Sequence, residues 1–84
     1  YFISGEINTA FPEHHQAAAK FDLLLSRYGD GRVYQMDGVS VEYPTWHFNV
    51  RLSNTEPMLR LNLEATTQTE MTARLDEVLA LIRD

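Results

Sequence analysis

Apolar residues recur along this chain at two different periods, and the switch between them marks its elements. Ala17, Phe21, Leu24, Leu25 and Tyr28 follow one another at three- and four-residue steps. That spacing predicts a helix over residues 13–28 with one apolar face. Pro12 stands near its first position, where a missing N–H costs little. Gly29-Asp30-Gly31 is expected to end it. Beyond it the period becomes two. Val39, Val41 and Tyr43 alternate with Ser40 and Glu42, and Trp46, Phe48, Val50 and Leu52 alternate with His47, Asn49 and Arg51. Leu59, Leu61, Leu63 and Ala65 then alternate with Arg60, Asn62 and Glu64. Each such strand has one apolar face and one polar face. Arg32 to Met36 reads as the first arm of a hairpin turned at Asp37-Gly38. Residues 4–8 read as a short edge strand with a glycine at a close approach, and Thr9 to Pro12 as the turn into the helix. Thr67-Gln68-Thr69-Glu70 is a capping box. It opens a second helix to about Arg83, with Met71, Leu75, Val78, Leu79 and Ile82 on its apolar side.

These elements make an α+β fold: an antiparallel sheet of four to five strands with two helices covering its apolar face. If the strands at 46–52 and 58–65 form a hairpin, Val50 lies near Leu61 and Arg51 near Arg60. Two like charges so placed are unfavourable unless an anion or a carboxylate sits between them. Glu56 and Glu64 are the candidate counter-ions within the chain. For Arg60 the plain alternative is a solvated strand arginine paired with Glu64 or Glu42.

Length and charge narrow the partners. A chain of 84 residues is one small domain, burying roughly 60–65% of its unfolded surface. Its first residue is Tyr1, so it is expected to be a piece of something larger. The net charge of −5 leaves no basic footprint, which argues against nucleic acid and against an anionic membrane surface. There are no cysteines, which excludes disulfides and thiolate metal sites and fits a cytoplasmic location. No apolar run approaches the ~20 residues of a membrane span. His14 and His15 are adjacent and point different ways on a helix, without a third ligand at metal spacing. His47 falls on the polar face of its strand. Trp46 and Phe48 read as core.

The chemistry concentrates in Arg51-Leu52-Ser53-Asn54-Thr55-Glu56-Pro57. It sets a guanidinium, two hydroxyls and an amide in five consecutive positions, all hydrogen-bond donors. An Arg fork grips two oxygens of a phosphate at once. Asn54 tolerates turn conformations, so neighbouring N–H groups can share one concavity. Pro57 stiffens the exit. A carboxylate beside a phosphate repels it, so Glu56 is expected to point away and orient an arginine. No nucleophile–base pair, metal cluster or carboxylate pair assembles here, so the chain alone is expected to be inactive.

Arg51-x-Ser53-Asn54-Thr55-Glu56-Pro57-x-x-Arg60 resembles the phosphate-binding loop in the C-terminal domain of the α-D-phosphohexomutases. Ser4-Gly5-Glu6-Ile7-Asn8, Asp37-Gly38-Val39 and Trp46-x-Phe48-Asn49-x-Arg51 follow the order and spacing of the bacterial phosphomannomutase branch. The resemblance covers nearly the whole chain. It implies a TATA-binding-protein-like domain of a larger isomerase that interconverts mannose 6-phosphate and mannose 1-phosphate through a hexose bisphosphate. It also implies that a phosphoserine and a bound Mg²⁺ belong to other domains of that enzyme, with no cofactor in this one. Arg51, Ser53, Asn54 and Thr55 would hold the substrate phosphate, supported by Glu56, Pro57 and Arg60. Gly5 to Asn8 would mark the crossing from the preceding domain. The alternatives are a non-enzymatic ligand- or protein-interaction module, or the equivalent domain of a phosphoglucomutase or phosphoglucosamine mutase. Asn54 leans away from the latter two, which often carry Gly there.

Overall fold

A computed structural model describes residues 1–35 and 38–84. In chain order the elements are β1 (Phe2–Ile3), β2 (Ile7–Ala10), α1 (His14–Arg27), β3 (Arg32–Gln35), β4 (Val39–Glu42), β5 (Trp46–Leu52), β6 (Met58–Ala65) and α2 (Gln68–Arg83). The expected hairpin turn falls partly at residues 36 and 37, outside the described residues.

The period-two segments pair as their alternation requires. The antiparallel sheet runs β3-β4-β5-β6, and β1 and β2 lie end to end along the outer edge of β6. Val50 stands opposite Leu61 and Phe48 opposite Leu63, so apolar residues share one face. Both helices cover that face. Ala17, Leu24 and Tyr28 of the first helical segment and Met71, Val78 and Ile82 of α2 are buried against it. Among the described residues the buried set contains no polar or charged side chain, as a small core with few means of satisfying one demands. The α+β architecture and its TATA-binding-protein-like outline therefore stand.

Among the described residues the sheet has six strands, against the four to five expected. The excess lies at the outer edge, where the single strand expected at 4–8 is two. Phe2 pairs with Ala65 and Ile3 with Glu64, while Ile7 pairs with Leu61. Ser4, Gly5 and Glu6 thus oppose only Asn62 and Leu63, which is a β-bulge. Gly5 has φ +73, a left-handed conformation that favours glycine. An added Cβ there would meet nothing within 4 Å, so the glycine serves backbone shape, not close approach. Ser4 seals the gap: its N–H donates to Leu63 O at 2.8 Å, and its Oγ accepts from Leu63 N at 3.0 Å.

The start of α1 also departs from expectation, while its end falls just before Gly29 as expected. β2 continues to Ala10, so α1 starts later, with Glu13 as N-cap and Pro12 ahead of the cap. The Gln16 side chain accepts from the Glu13 N–H at 3.0 Å. At the other end Tyr28 closes the helix by donating to Leu24 O at 2.9 Å. Positive φ among the glycines occurs at Gly5 and Gly38, not at Gly29 or Gly31. Gly31 is small for a different reason: a Cβ there would lie 2.5 Å from Val41 Cγ1.

An aromatic and ionic cluster locks α2 to the start of β5. Tyr43 stacks on Trp46 with centroids 4.7 Å apart, and the Arg74 guanidinium lies 4.9 Å from the Trp46 ring centre. Thr67 accepts from Glu70 N at 3.1 Å. The Glu70 carboxylate does not return to the cap. It takes the Thr45 hydroxyl at 2.5 Å and Arg74 Nε at 3.0 Å, so half of the predicted box forms. Those bonds, Thr45 first, hold the Glu70 carboxyl below its usual range. Among the described residues no helix is long and apolar enough to cross a membrane.

Candidate anion-binding site

Among the described residues no helix lies on the opposite face of the sheet, and its polar side chains form rows across the strands. Nearest the 53–57 loop, Arg51 of β5 stands directly opposite Arg60 of β6, and Arg60 stands opposite Asn8 of β2. The next row pairs Asn49 with Asn62, and Asn49 Nδ2 donates to Ser40 Oγ at 3.1 Å. The third pairs His47 with Glu64, whose Nε2 and Oε2 lie 3.4 Å apart. Arg51 and Arg60 thus stand together at the loop end of this face, whereas Arg32, opposite Glu42, shares the far row with His47 and Glu64.

Local sequence explains the loop. Ser53 N donates to Met58 O at 3.0 Å and closes it. Met58 N donates to Glu56 O at 2.8 Å, a γ-turn centred on Pro57, whose fixed φ suits it. Pro57 O accepts from Phe11 N at 2.7 Å, which ties the loop exit to the end of β2. The Ser53 hydroxyl accepts from Thr55 N at 3.4 Å and Glu56 N at 3.3 Å. These two amides therefore turn onto Ser53, and the hydroxyl is oriented by them. Asn54, Thr55 and Glu56 are exposed, and Ser53 and Pro57 half-buried.

The two arginines differ in setting. Arg51 is exposed and packs against Gly38, where a Cβ would lie 2.3 Å from Arg51 Cγ. Gly38 has φ +97, so both its backbone and its missing side chain matter. Arg60 is half-buried, and its Nε is shielded from solvent without a hydrogen-bond partner. Glu64, one expected counter-ion for this pair, is instead engaged by His47. Adjacent strands hold His47 and Glu64 directly opposite, closer than any diagonal alternative.

The remaining chemistry-bearing residues stay apart from this site. His14 and His15 are exposed in the first turn of α1, and Trp46 and Phe48 are core. Among the described residues no group of three or more His, Cys, Asp or Glu can hold a metal ion. A cleft of about 420 Å³ between the start of α1 and the end of α2 includes none of the loop residues. Its cations are engaged, Lys20 with Asp84 O at 2.6 Å and Arg83 with Thr9 Oγ1 at 3.2 Å. Asn8 and Phe11, which flank the site, were not legible from alternation. The bulge inverts parity along the edge, and Gly5 was the one residue that could have signalled it.

Comparison with known proteins supplies the family. This chain belongs to the family described as phosphoglucomutase/phosphomannomutase, C-terminal domain, whose pattern matches residues 6–81. It is 41% identical over 83 residues to a phosphomannomutase of Escherichia coli, covering 95% of this chain and 18% of that protein. A phosphomannomutase of Methanocaldococcus jannaschii is 37% identical over 79 residues, covering 94% of this chain and 17% of its own. A Xanthomonas campestris protein described as phosphohexose mutases is 37% identical over 83 residues, 95% of this chain and 18% of that one. The chain thus spans under a fifth of the length of these relatives.

Proposed function

We propose that this chain is the substrate phosphate-binding domain of a phosphomannomutase that interconverts mannose 6-phosphate and mannose 1-phosphate. The observation that carries this reading is the direct opposition of Arg51 and Arg60 at the mouth of the Ser53–Pro57 loop, on a sheet face without helices. A dianionic phosphoryl group between the guanidiniums would make a charge-assisted contact with each. Ser53, Asn54 and Thr55 add neutral donors around the remaining oxygens. The names of the relatives, mostly phosphomannomutases, favour mannose as the hexose.

In this reading the domain grips the phosphate that is not being transferred. Bringing the loop over a substrate held elsewhere fixes the far end of the sugar and excludes water from the reacting end. A grip on phosphate alone accepts either end of a hexose bisphosphate, as a reversible transfer between C6 and C1 requires. The phosphoserine and the Mg²⁺ of such an enzyme would be held outside this chain, by the rest of the longer polypeptide. The chain by itself is then inactive.

Charge-assisted hydrogen bonds contribute ~1.5–3 kcal/mol each, while association costs several kcal/mol. Affinity of the isolated chain for phosphosugars is expected to be about millimolar or weaker. An NMR titration with mannose 6-phosphate should shift the amides of Ser53 to Thr55 first. No response there, or shifts centred on His14, would refute the assignment.

A further inference from the structure

We propose that Asn8 positions the Arg60 guanidinium on the bound phosphate, and that the edge bulge at Ser4–Glu6 is what delivers Asn8 to it. This rests on the phosphate-grip reading and adds a residue that the loop motif does not contain.

The register carries the argument. Continued at the β1 register, the ladder beside β6 would set Ile7 opposite Arg60 and Asn8 opposite Leu59. That arrangement would put the apolar Ile7 on the uncovered face and the Asn8 amide into the core. The extra residue in the bulge shifts the register by one. Ile7 then faces Leu61, and Asn8 faces Arg60. Re-aiming a side chain beside a site is a recurrent role of edge bulges. The shift is enforced locally, by the left-handed backbone of Gly5 and by the Ser4 hydroxyl, which accepts from Leu63 N and donates to Gly5 O at 2.7 Å.

Arg60 has the matching need. Its Nε is shielded from water and lacks a partner. On the β5 side its direct neighbour is another cation, Arg51. On the β2 side its direct neighbour is Asn8, whose amide offers an acceptor oxygen as well as donors. Side chains directly opposite in an antiparallel pair have Cβ atoms ~4.5–5.5 Å apart, within reach of this contact. The bond is not made in the free molecule. When an anion draws Arg60 into place, Asn8 Oδ1 accepts from Nε and sets the plane of the guanidinium, leaving both terminal nitrogens for the phosphate. Asn8 acts through Arg60 and is a positioning residue.

The test follows the Arg60 Nε–H resonance of the 84-residue chain during titration with inorganic phosphate. The wild type should show a downfield shift of that resonance together with shifts of the 53–55 amides. Asn8→Ala should lose the Nε shift and bind phosphate about fivefold more weakly, the loss of roughly one net hydrogen bond. Unchanged Val50 and Leu61 methyl signals would report an intact core. Asn8→Asp keeps an acceptor, so it should retain the Nε shift while its carboxylate weakens phosphate binding. If Asn8→Ala does not fold, Asn8→Asp decides alone, and loss of the Nε shift in it overturns the inference. Wild-type affinity and an unaltered Nε response in Asn8→Ala also overturn it, and leave the phosphate grip standing. A wild type whose 53–55 amides ignore phosphate overturns both.

Discussion

Gly38 lies so close against Arg51 that a Cβ on it would sit 2.3 Å from the Arg51 Cγ and 2.7 Å from Val50 O. The arginine of the loop motif is thus seated on the one residue type that leaves room for its stem. The φ of +97 at Gly38 penalises any other residue independently.

Gly38→Ala should therefore act twice. It should destabilise the chain by ~1–3 kcal/mol through backbone strain and the clash, read as a lower urea midpoint. It should also displace Arg51 and weaken the phosphate response of residues 53–55. A variant of wild-type stability with an unchanged titration would contradict the close approach.

Arg60→Met is expected to separate stability from binding. It removes one of two facing cations and a shielded donor without a partner, while its stem still covers the sheet. The urea midpoint should rise, by an amount equivalent to ~0.5–2 kcal/mol. Phosphate binding should fall at the same time, a trade common where a functional group costs stability.

Ser53→Ala should loosen the loop without unfolding the sheet. The hydroxyl accepts from two amides at 3.3 and 3.4 Å, long contacts that add little stability. A change below ~1 kcal/mol is expected. Hydrogen exchange at Thr55 and Glu56 should accelerate, while exchange at Leu61 and Leu63 should not.

Alkaline pH should weaken the fold through Tyr43 and Tyr28. Burial, and then the hydrogen bond to Asp30, push the Tyr43 hydroxyl from 10.0 up to about 12. Burial, and then the bond to Glu77, push Tyr28 up as well. A raised pKa in the folded state means that the unfolded chain loses its proton first. The stabilisation is fully present below pH 10, and Tyr43's share is lost as pH rises from there to about 12. Tyr43→Phe should flatten part of that fall, measured by urea denaturation across the window. A steeper fall in the variant would reverse the assigned sign.

Much of the site was legible because its residues lie on strands whose faces alternate. Once β5 and β6 are joined by a short loop, Arg51 must meet Arg60, and the outcome needed only parity and loop length. The partner of Glu64 was not legible. Several carboxylates compete for the same cations, and cross-strand distance gave Glu64 to His47. Glu70 is a parallel case, drawn from its helix cap to Thr45 and Arg74.

By itself the sequence determined the two helices, the faces of β4, β5 and β6, and the donor-rich loop with its facing arginines. Each of these follows from a local period or from consecutive residues, and short-range stereochemistry suffices for them. Only the tertiary structure decided the split edge strand, the seat of Arg51 on Gly38 and the delivery of Asn8 to Arg60. A single extra residue in a bulge inverts which side chains face the core, yet leaves composition and spacing almost unchanged. Gly5 permits the bulge, but the choice is settled where the edge meets β6, because half-burying Ile7 and exposing Asn8 is favourable only after β6 has presented its own two faces.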